Sequence, residues 1–340
     1  MRPDDGFEMG LKVNRWPPKV SVLIPTYNYA RYLPEAIESV LSQSFTDFEL
    51  LIIDDHSSDD TAEIATRYAQ KDKRVCFRVN RRNIGMVENW NLCLKEAEGE
   101  YVKYLFADDL LCSVDAVRLM VEALDEDPQV SLVASARQII DSEGRPIEIL
   151  THFPDSGRID GRRVINRCLR CQKNLVGEPT AVMFRKRLCP EGFNPKFRQI
   201  VDMEFWFRLL EAGGFAYINR PLAAFRRHDV QQTRLNRGNA PLILEDTERL
   251  LRDYVLNEDK RYIGLSRFRK SYLVYDYNYQ TWKLHRQGML QRSEAKGRIA
   301  SGYGWSRFVL GYPLYKLYKP FNKFSFRLEN FFAFRPGIKG

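Results

Sequence analysis

Along the first 140 residues the hydrophobic pattern keeps switching between two periods. Val20-Ser21-Val22-Leu23-Ile24 is a nearly continuous apolar run that stops at Pro25-Thr26-Tyr27-Asn28, the signature of a strand buried on both faces of a parallel sheet. Leu33, Ile37, Val40 and Leu41 then recur at helical spacing. The unit repeats. Residues 48–53 predict a second strand ending in Asp54-Asp55, and the loop 56–61, rich in N-cap residues, predicts a helix through Tyr68. Residues 75–79 predict a third strand, and 86–97 a helix that Gly99 stops. Tyr101-Val102-Lys103-Tyr104-Leu105 predicts a fourth strand, running into Ala107-Asp108-Asp109. A helix over 113–126 and a strand over 130–134 follow. Strand and helix alternating at short intervals predict βαβ units and a mainly parallel sheet.

Beyond this point the pattern changes. Residues 137–141 and 146–150 flank Ser142-Glu143-Gly144-Arg145, a hairpin signal. Residues 179–185 are strand-like, 201–210 predict a helix ending at Gly213-Gly214, and 215–219 and 222–226 predict two short strands leading to His228. The chain therefore divides into a loose polar arm (1–18, closed by Pro17-Pro18), one α/β domain (19–235) with a parallel first half and a mixed second half, and a helical region (236–340).

Charge changes the picture only for that last region. Residues 261–340 hold 16 Lys and Arg against 3 Asp and Glu, so they carry all of the chain's net charge of +9 and more. Twelve of residues 301–340 are aromatic, and Lys316, Lys319, Lys323 and Arg327 interleave with Tyr315, Tyr318, Phe321, Phe324 and Phe326. Such a tail suits a membrane surface. Packing or oligomer contact is the second reading, and single-stranded nucleic acid the least favoured. Gly311, Pro313 and Pro320 exclude a regular spanning helix there. No apolar run approaches the roughly 20 residues a span requires, and Met1-Arg2-Pro3-Asp4-Asp5 leads into no apolar leader segment. The expected location is cytoplasmic, with the inner face of the membrane as a possible docking surface. The six cysteines form no framework; Cys168-x-x-Cys171 lacks a second pair for zinc and falls on a helical face.

The chemistry starts from the carboxylate pairs. Of four adjacent Asp pairs, Asp54-Asp55 and Asp108-Asp109 each directly end an apolar strand. Unpaired charges are costly to bury, and in open α/β sheets ligands bind beyond the carboxyl ends of the strands. Two such pairs fit a nucleotide and its cation; strand-end Asp acting as helix caps is the plainer alternative. No Gly-x-x-x-x-Gly-Lys-Ser/Thr and no Gly-x-Gly-x-x-Gly follows a strand, which argues against Walker-type nucleotidases and dinucleotide oxidoreductases. A diphosphate bound here would need a cation for neutralisation.

Taken together, Val20-Ser21-Val22-Leu23-Ile24-Pro25-Thr26-Tyr27-Asn28, Ile53-Asp54-Asp55-His56-Ser57-Ser58-Asp59-Asp60-Thr61, Asn83-Ile84-Gly85, Gly99-Glu100-Tyr101 and Ala107-Asp108-Asp109 closely resemble, in order and spacing, the family-2 inverting glycosyltransferases of the GT-A fold. The resemblance covers about residues 19–230. It implies a Rossmann-like mixed sheet and a nucleotide-diphosphate sugar donor, a UDP-sugar above all. It also implies a glycan or lipid-linked glycan acceptor in cell-surface polysaccharide or glycolipid synthesis. Pro25, Thr26, Tyr27, Asn28 and Asn83 would line the nucleotide pocket, with Asp55 accepting from the base and Asp108 near ribose and phosphates. Asp109 would coordinate Mn²⁺ or Mg²⁺, with His228 as a further metal or diphosphate ligand; Leu110 offers no third carboxylate. Asp202, in Val201-Asp202-Met203-Glu204, matches the family's catalytic base, with Glu204 the second choice. Arg226 and Arg227 are read as a solvated charge run rather than phosphate ligands. The alternative from another class is a non-catalytic nucleotide-sugar-binding or scaffold protein with the same fold.

Overall fold

The apolar runs of the first half become β2 (Val20–Thr26), β3 (Phe48–Asp54), β4 (Val75–Asn80) and β5 (Tyr101–Tyr104). The computed structural model describes residues 7–11, 17–189, 191–229, 240–302 and Tyr315. β2, β3 and β5 are buried along their whole length, so every backbone polar group must pair within the sheet and both faces need apolar cover. Pairing is parallel, in the spatial order β4-β3-β2-β5.

The cover comes from the intervening helices, α1 (Leu33–Leu41), α2 (Thr61–Lys71) and α3 (Met86–Glu96), and from α4 (Ala116–Asp125). Leu33, Ile37 and Val40 of α1, Ile64 of α2 and Val117 and Met120 of α4 share one core with Val22, Ile24, Leu50, Ile52 and Tyr101. Side chains alternate along a strand, so Tyr104 faces the other side. There it joins an aromatic layer in which Trp90 of α3 stacks on Phe106 and Phe193 meets Tyr104, Phe205 and Trp206.

The strand order has a functional consequence. The chain builds outward from β2 to β4 and then returns to lay β5 on the other side of β2. Order reverses between β2 and β5, so the connections leaving their carboxyl ends diverge and open a crevice. Thr26-Tyr27-Asn28 leave one strand and Asp108-Asp109 follow the other.

The second half adds β6 (Leu110–Leu111), β7 (Val130–Ile140), β8 (Pro146–Leu150), β9 (Gly157–Ile159), β10 (Val182–Arg185) and β11 (Gly214–Arg226). The sheet continues β5-β10-β7-β11-β6, with β10 antiparallel to both neighbours and β7 parallel to β11. β7 and β8 form the expected hairpin. The result is a mixed, mostly parallel sheet with flanking helices.

Three local expectations are corrected. Phe7–Leu11, assigned to a loose arm, is β1, pairing antiparallel with β4 and extending the sheet edge; a five-residue edge strand needs little apolar patterning. Residues 215–219 and 222–226 are one strand, β11, and the apparent break at Arg220-Pro221 is a register irregularity against β7. Residues 179–185 start as a 3₁₀ turn, Pro179–Ala181, before β10 begins.

The chain forms two compact units, and they are not divided at one point. Residues 162–175 and 196–200 cluster with residues from 229 onward, leaving 1–161, 176–195 and 201–228 as the first unit. The second unit contains most of α5 (Gly161–Cys171); α6 (Val201–Ala212) belongs to the first. Among the described residues, α7 (Ala240–Leu250), α8 (Arg267–Arg286) and α9 (Arg292–Gly302) also belong to the second. Inside that unit, Asp246 Oδ2 accepts the backbone N–H groups of Arg198, Gln199 and Ile200 at 2.8, 2.6 and 3.2 Å. Among the described residues no helix is long and apolar enough to cross a membrane. The basic, aromatic tail read as a membrane contact lies, apart from Tyr315, outside the described residues beyond 302.

Candidate active site

Four loops meet the carboxyl edge of the parallel sheet, and two of them are tied to each other. Asn28, after β2, donates its backbone N–H to Ser57 Oγ (2.8 Å), and its Oδ1 accepts the N–H of Ser58 (2.9 Å) in the loop after β3. Asn28 and His56 both sit at positive φ, 57° and 65°, a strained conformation for residues with a Cβ that such bonds must hold in place. Thr26 is buried with Oγ1 lacking a partner among the described residues, while Tyr27 is 45% exposed.

Asp54 and Asp55 look inward. Asp54 accepts the N–H of Ser57 (3.2 Å) and its hydroxyl; burial raises its pKa above the usual carboxylate value. Asp55 Oδ1 accepts from Asn80 Nδ2 (2.8 Å) and from the Ile84 N–H (2.9 Å), and its Oδ2 from the Gly85 N–H (2.9 Å). Gly85 has φ 92°, which a side chain would resist. Asp55 therefore shapes the 83–85 loop, and one acceptor position on Oδ2 remains for anything else. That position is compatible with the expected hydrogen bond from a base. Asn83 is exposed beside it, and Asn80 Oδ1 is buried without a partner among the described residues.

At the second pair the two carboxylates separate. Asp109 is 1% exposed, and its oxygens accept the Thr180 hydroxyl (Oδ2, 2.6 Å) and the Arg226 backbone N–H (Oδ1, 2.9 Å). Burial, then the charge of Asp108, pushes its pKa well above the carboxylate range. Asp108 instead places Oδ2 2.9 Å from His228 Nε2. The His228 ring packs against Tyr29 and Tyr32, at centroid distances of 6.0 and 5.1 Å, and its buried Nδ1 has no partner among the described residues. Burial and the charges of Asp108 and Asp109 push the Tyr29 phenol upward, so it too belongs to this corner.

Arg226 departs most from expectation. It is fully buried, its Nε donates to the Asp108 carbonyl (2.8 Å), and its guanidinium pairs with Glu35 and lies 4.8 Å from the Tyr32 ring centroid. It is a structural bolt rather than a solvated charge. Strand alternation offered a signal, since Leu222, Ala224 and Arg226 share one face of β11. Arg227 is exposed and pairs with Glu148 at 3.1 Å. Thr180 was missed because its link to Asp109 spans 71 residues and no local pattern announces it.

Asp202 sits in the first turn of α6, half-buried, with Oδ1 accepting the Met203 N–H (2.7 Å). A helix N-terminus favours an ionised carboxylate. Glu204 is buried and paired with Arg208 at 2.9 Å, which corrects its standing as second choice for a base. Trp206, on the same helix, is fully buried and donates Nε1–H to the Gly177 carbonyl (3.0 Å), anchoring α6 beside the turn that carries Thr180.

Residues 21–193 match the model of the family described as Glycosyl transferase family 2. An uncharacterised Mycobacterium tuberculosis protein is 31% identical over 237 residues, covering 67% of this chain and 72% of that protein. Chondroitin synthase from Escherichia coli is 32% identical over 205 residues, covering 60% of this chain. The match spans only 28% of that enzyme. In structure, S. aureus TarS 1–349 in complex with UDP superposes with a TM-score of 0.62 at 19% identity, covering 91% of this chain and 88% of that one. The mannosyltransferase PcManGT from Pyrobaculum calidifontis, in complex with GDP-Man and Mn²⁺, gives 0.55 at 16% identity over 94% and 89%.

Proposed function

The chain belongs to glycosyltransferase family 2, and from that premise we propose that it transfers a sugar from a nucleoside-diphosphate donor to a hydroxyl of a glycan acceptor, with inversion at the anomeric carbon. The observation that carries this reading is the corner at the topological switch point, where Asp108 and His228 stand 2.9 Å apart between the loops leaving β2 and β5. Buried atoms without a partner among the described residues, Thr26 Oγ1, Asn80 Oδ1 and His228 Nδ1, favour a polar ligand along the same edge, because buried polar groups are otherwise paired. The similar proteins include a chondroitin synthase, which supports a role in polysaccharide assembly.

The residues around Asp108 offer a divalent cation a site of few protein ligands. Among the described residues no group of three or more His, Cys, Asp or Glu forms a cation cage. Asp108 and His228 are the two donors facing each other, and Asp109 already spends an acceptor position of each oxygen on Thr180 and Arg226. Mg²⁺ and Mn²⁺ commonly take one or two protein ligands and complete their shell with substrate phosphates and water. The pair fits that arrangement, with Asp109, which keeps one acceptor position on each oxygen, beside it. A bound cation would neutralise charge on the departing diphosphate.

The chain's own part is to orient and to move a proton. Thr26, Tyr27 and the Asp55-held 83–85 loop frame the nucleotide. Asp202 takes the proton of the acceptor hydroxyl while that oxygen bonds to the anomeric carbon and the bond to the diphosphate breaks. Titration of UDP and of GDP by calorimetry, with Mn²⁺ and with EDTA, tests the donor end. Binding that needs the metal and weakens at least tenfold in Asp108→Asn supports it. Binding indifferent to both would overturn it.

A further inference from the structure

A lysine occupies a buried position of the central strand β5, where the apolar pattern calls for a hydrophobic side chain. Lys103 lies in β5, in register with Val22 of β2 and Met183 of β10, and is fully buried. Its Nζ donates to the Tyr104 carbonyl (3.2 Å) and to the Thr180 carbonyl, and among the described residues it makes no ion pair. Burial pulls its pKa down to about 7, against the attraction of Asp109. An ammonium in the interior is costly to desolvate, and a methionine of similar length would satisfy the strand without that cost. The stability of the sheet does not explain the lysine.

Its partner does. Thr180 belongs to the Pro179–Ala181 turn. Its carbonyl accepts from Lys103, its hydroxyl donates to Asp109 Oδ2 (2.6 Å), and its Oγ1 accepts the Phe106 N–H (3.3 Å). One residue thus joins the buried cation to the carboxylate next to Asp108. Resting on the functional reading above, we propose that Lys103 is a positioning residue for the donor site, holding the Pro179–Ala181 turn so that Thr180 fixes Asp109 and leaves Asp108 facing the diphosphate. Lys103 touches no substrate in this account; it acts through Thr180.

The test is a double-mutant cycle on the full chain with Lys103→Met, Thr180→Val and the pair, reading thermal midpoint and Mn²⁺-dependent affinity for UDP and GDP. The expected result is a Lys103→Met protein with an unchanged or higher midpoint and about tenfold weaker nucleotide binding. Thr180→Val should weaken binding similarly, and the double variant should be no worse than the weaker single, because residues acting through one contact are not additive. Lys103→Met with wild-type affinity, or losses that simply add, would overturn the proposal. Should Lys103→Met not fold, the lysine is needed for stability itself and the proposal also fails; Lys103→Gln, which keeps a donor, then confirms or refutes that by its midpoint. Wild-type protein that binds neither nucleotide would overturn the functional reading first, an outcome distinct from a Lys103 variant that binds as well as wild type.

Discussion

Asp54-Asp55 and Asp108-Asp109 leave neighbouring parts of one sheet in the same way, each at the carboxyl end of a buried parallel strand, and they are put to different uses. The first pair is spent on its own chain: Asp54 on Ser57, Asp55 on Asn80, Ile84 and Gly85. The second is split. Asp109 is tied down by Thr180 and Arg226, residues 71 and 117 positions away, while Asp108 faces His228. Partners 3 to 30 positions away hold a loop that would frame a ligand. Long-range partners fix one carboxylate so that its neighbour can meet one.

The comparison breaks if the two pairs respond alike to removal. Asp55→Ala has the larger expected effect on the fold. It leaves a buried amide and two backbone N–H groups without their acceptor, at about 1–3 kcal/mol per unsatisfied group, so the thermal midpoint should fall by several degrees and donor KM should rise. Asp108→Asn should leave the midpoint nearly unchanged and lose metal-dependent nucleotide affinity. Equal midpoint losses would erase the distinction. Thermal melts of the two variants side by side, with and without UDP and Mn²⁺, decide it.

A smaller effect sharpens the account of the second pair. Lys103 has a native pKa near 7 and an unfolded one near 10.4, so between those values the unfolded chain binds the extra proton. Stability relative to Lys103→Met should therefore be lowest below about pH 7 and rise as pH climbs toward about 10.4. Asp109 and Cys112 are the titratable groups acting on it, and both are retained in the variant. A stability difference flat across that range would show that burial does not pull the Lys103 pKa down.

Much of this was legible from residue order because the forces involved are local. Parallel strands buried on both faces must read as apolar runs, and helices covering them must repeat at helical spacing, so β2 through β5 and α1 through α4 could be placed to within a few residues. The edge strand Phe7–Leu11 carries only a weak pattern and was missed. What the sequence could not supply was the division of labour inside each Asp pair. Asp108 and Asp109 are adjacent and chemically identical; only Thr180, Arg226 and His228, brought in by β10 and β11, distinguish them. Arg226 illustrates the same limit, since its burial depends on Glu35 and the Asp108 carbonyl, far away along the chain.

The grip on the donor and the chemistry are separate functions in this account, and Asp202 carries the second. With a donor identified from a panel of nucleotide sugars, Asp202→Asn should keep nucleotide affinity within about twofold of wild type while transfer to acceptor falls by roughly 10²–10⁴, the usual worth of a general base. Near-normal turnover in that variant, with product of either anomeric configuration, would contradict it.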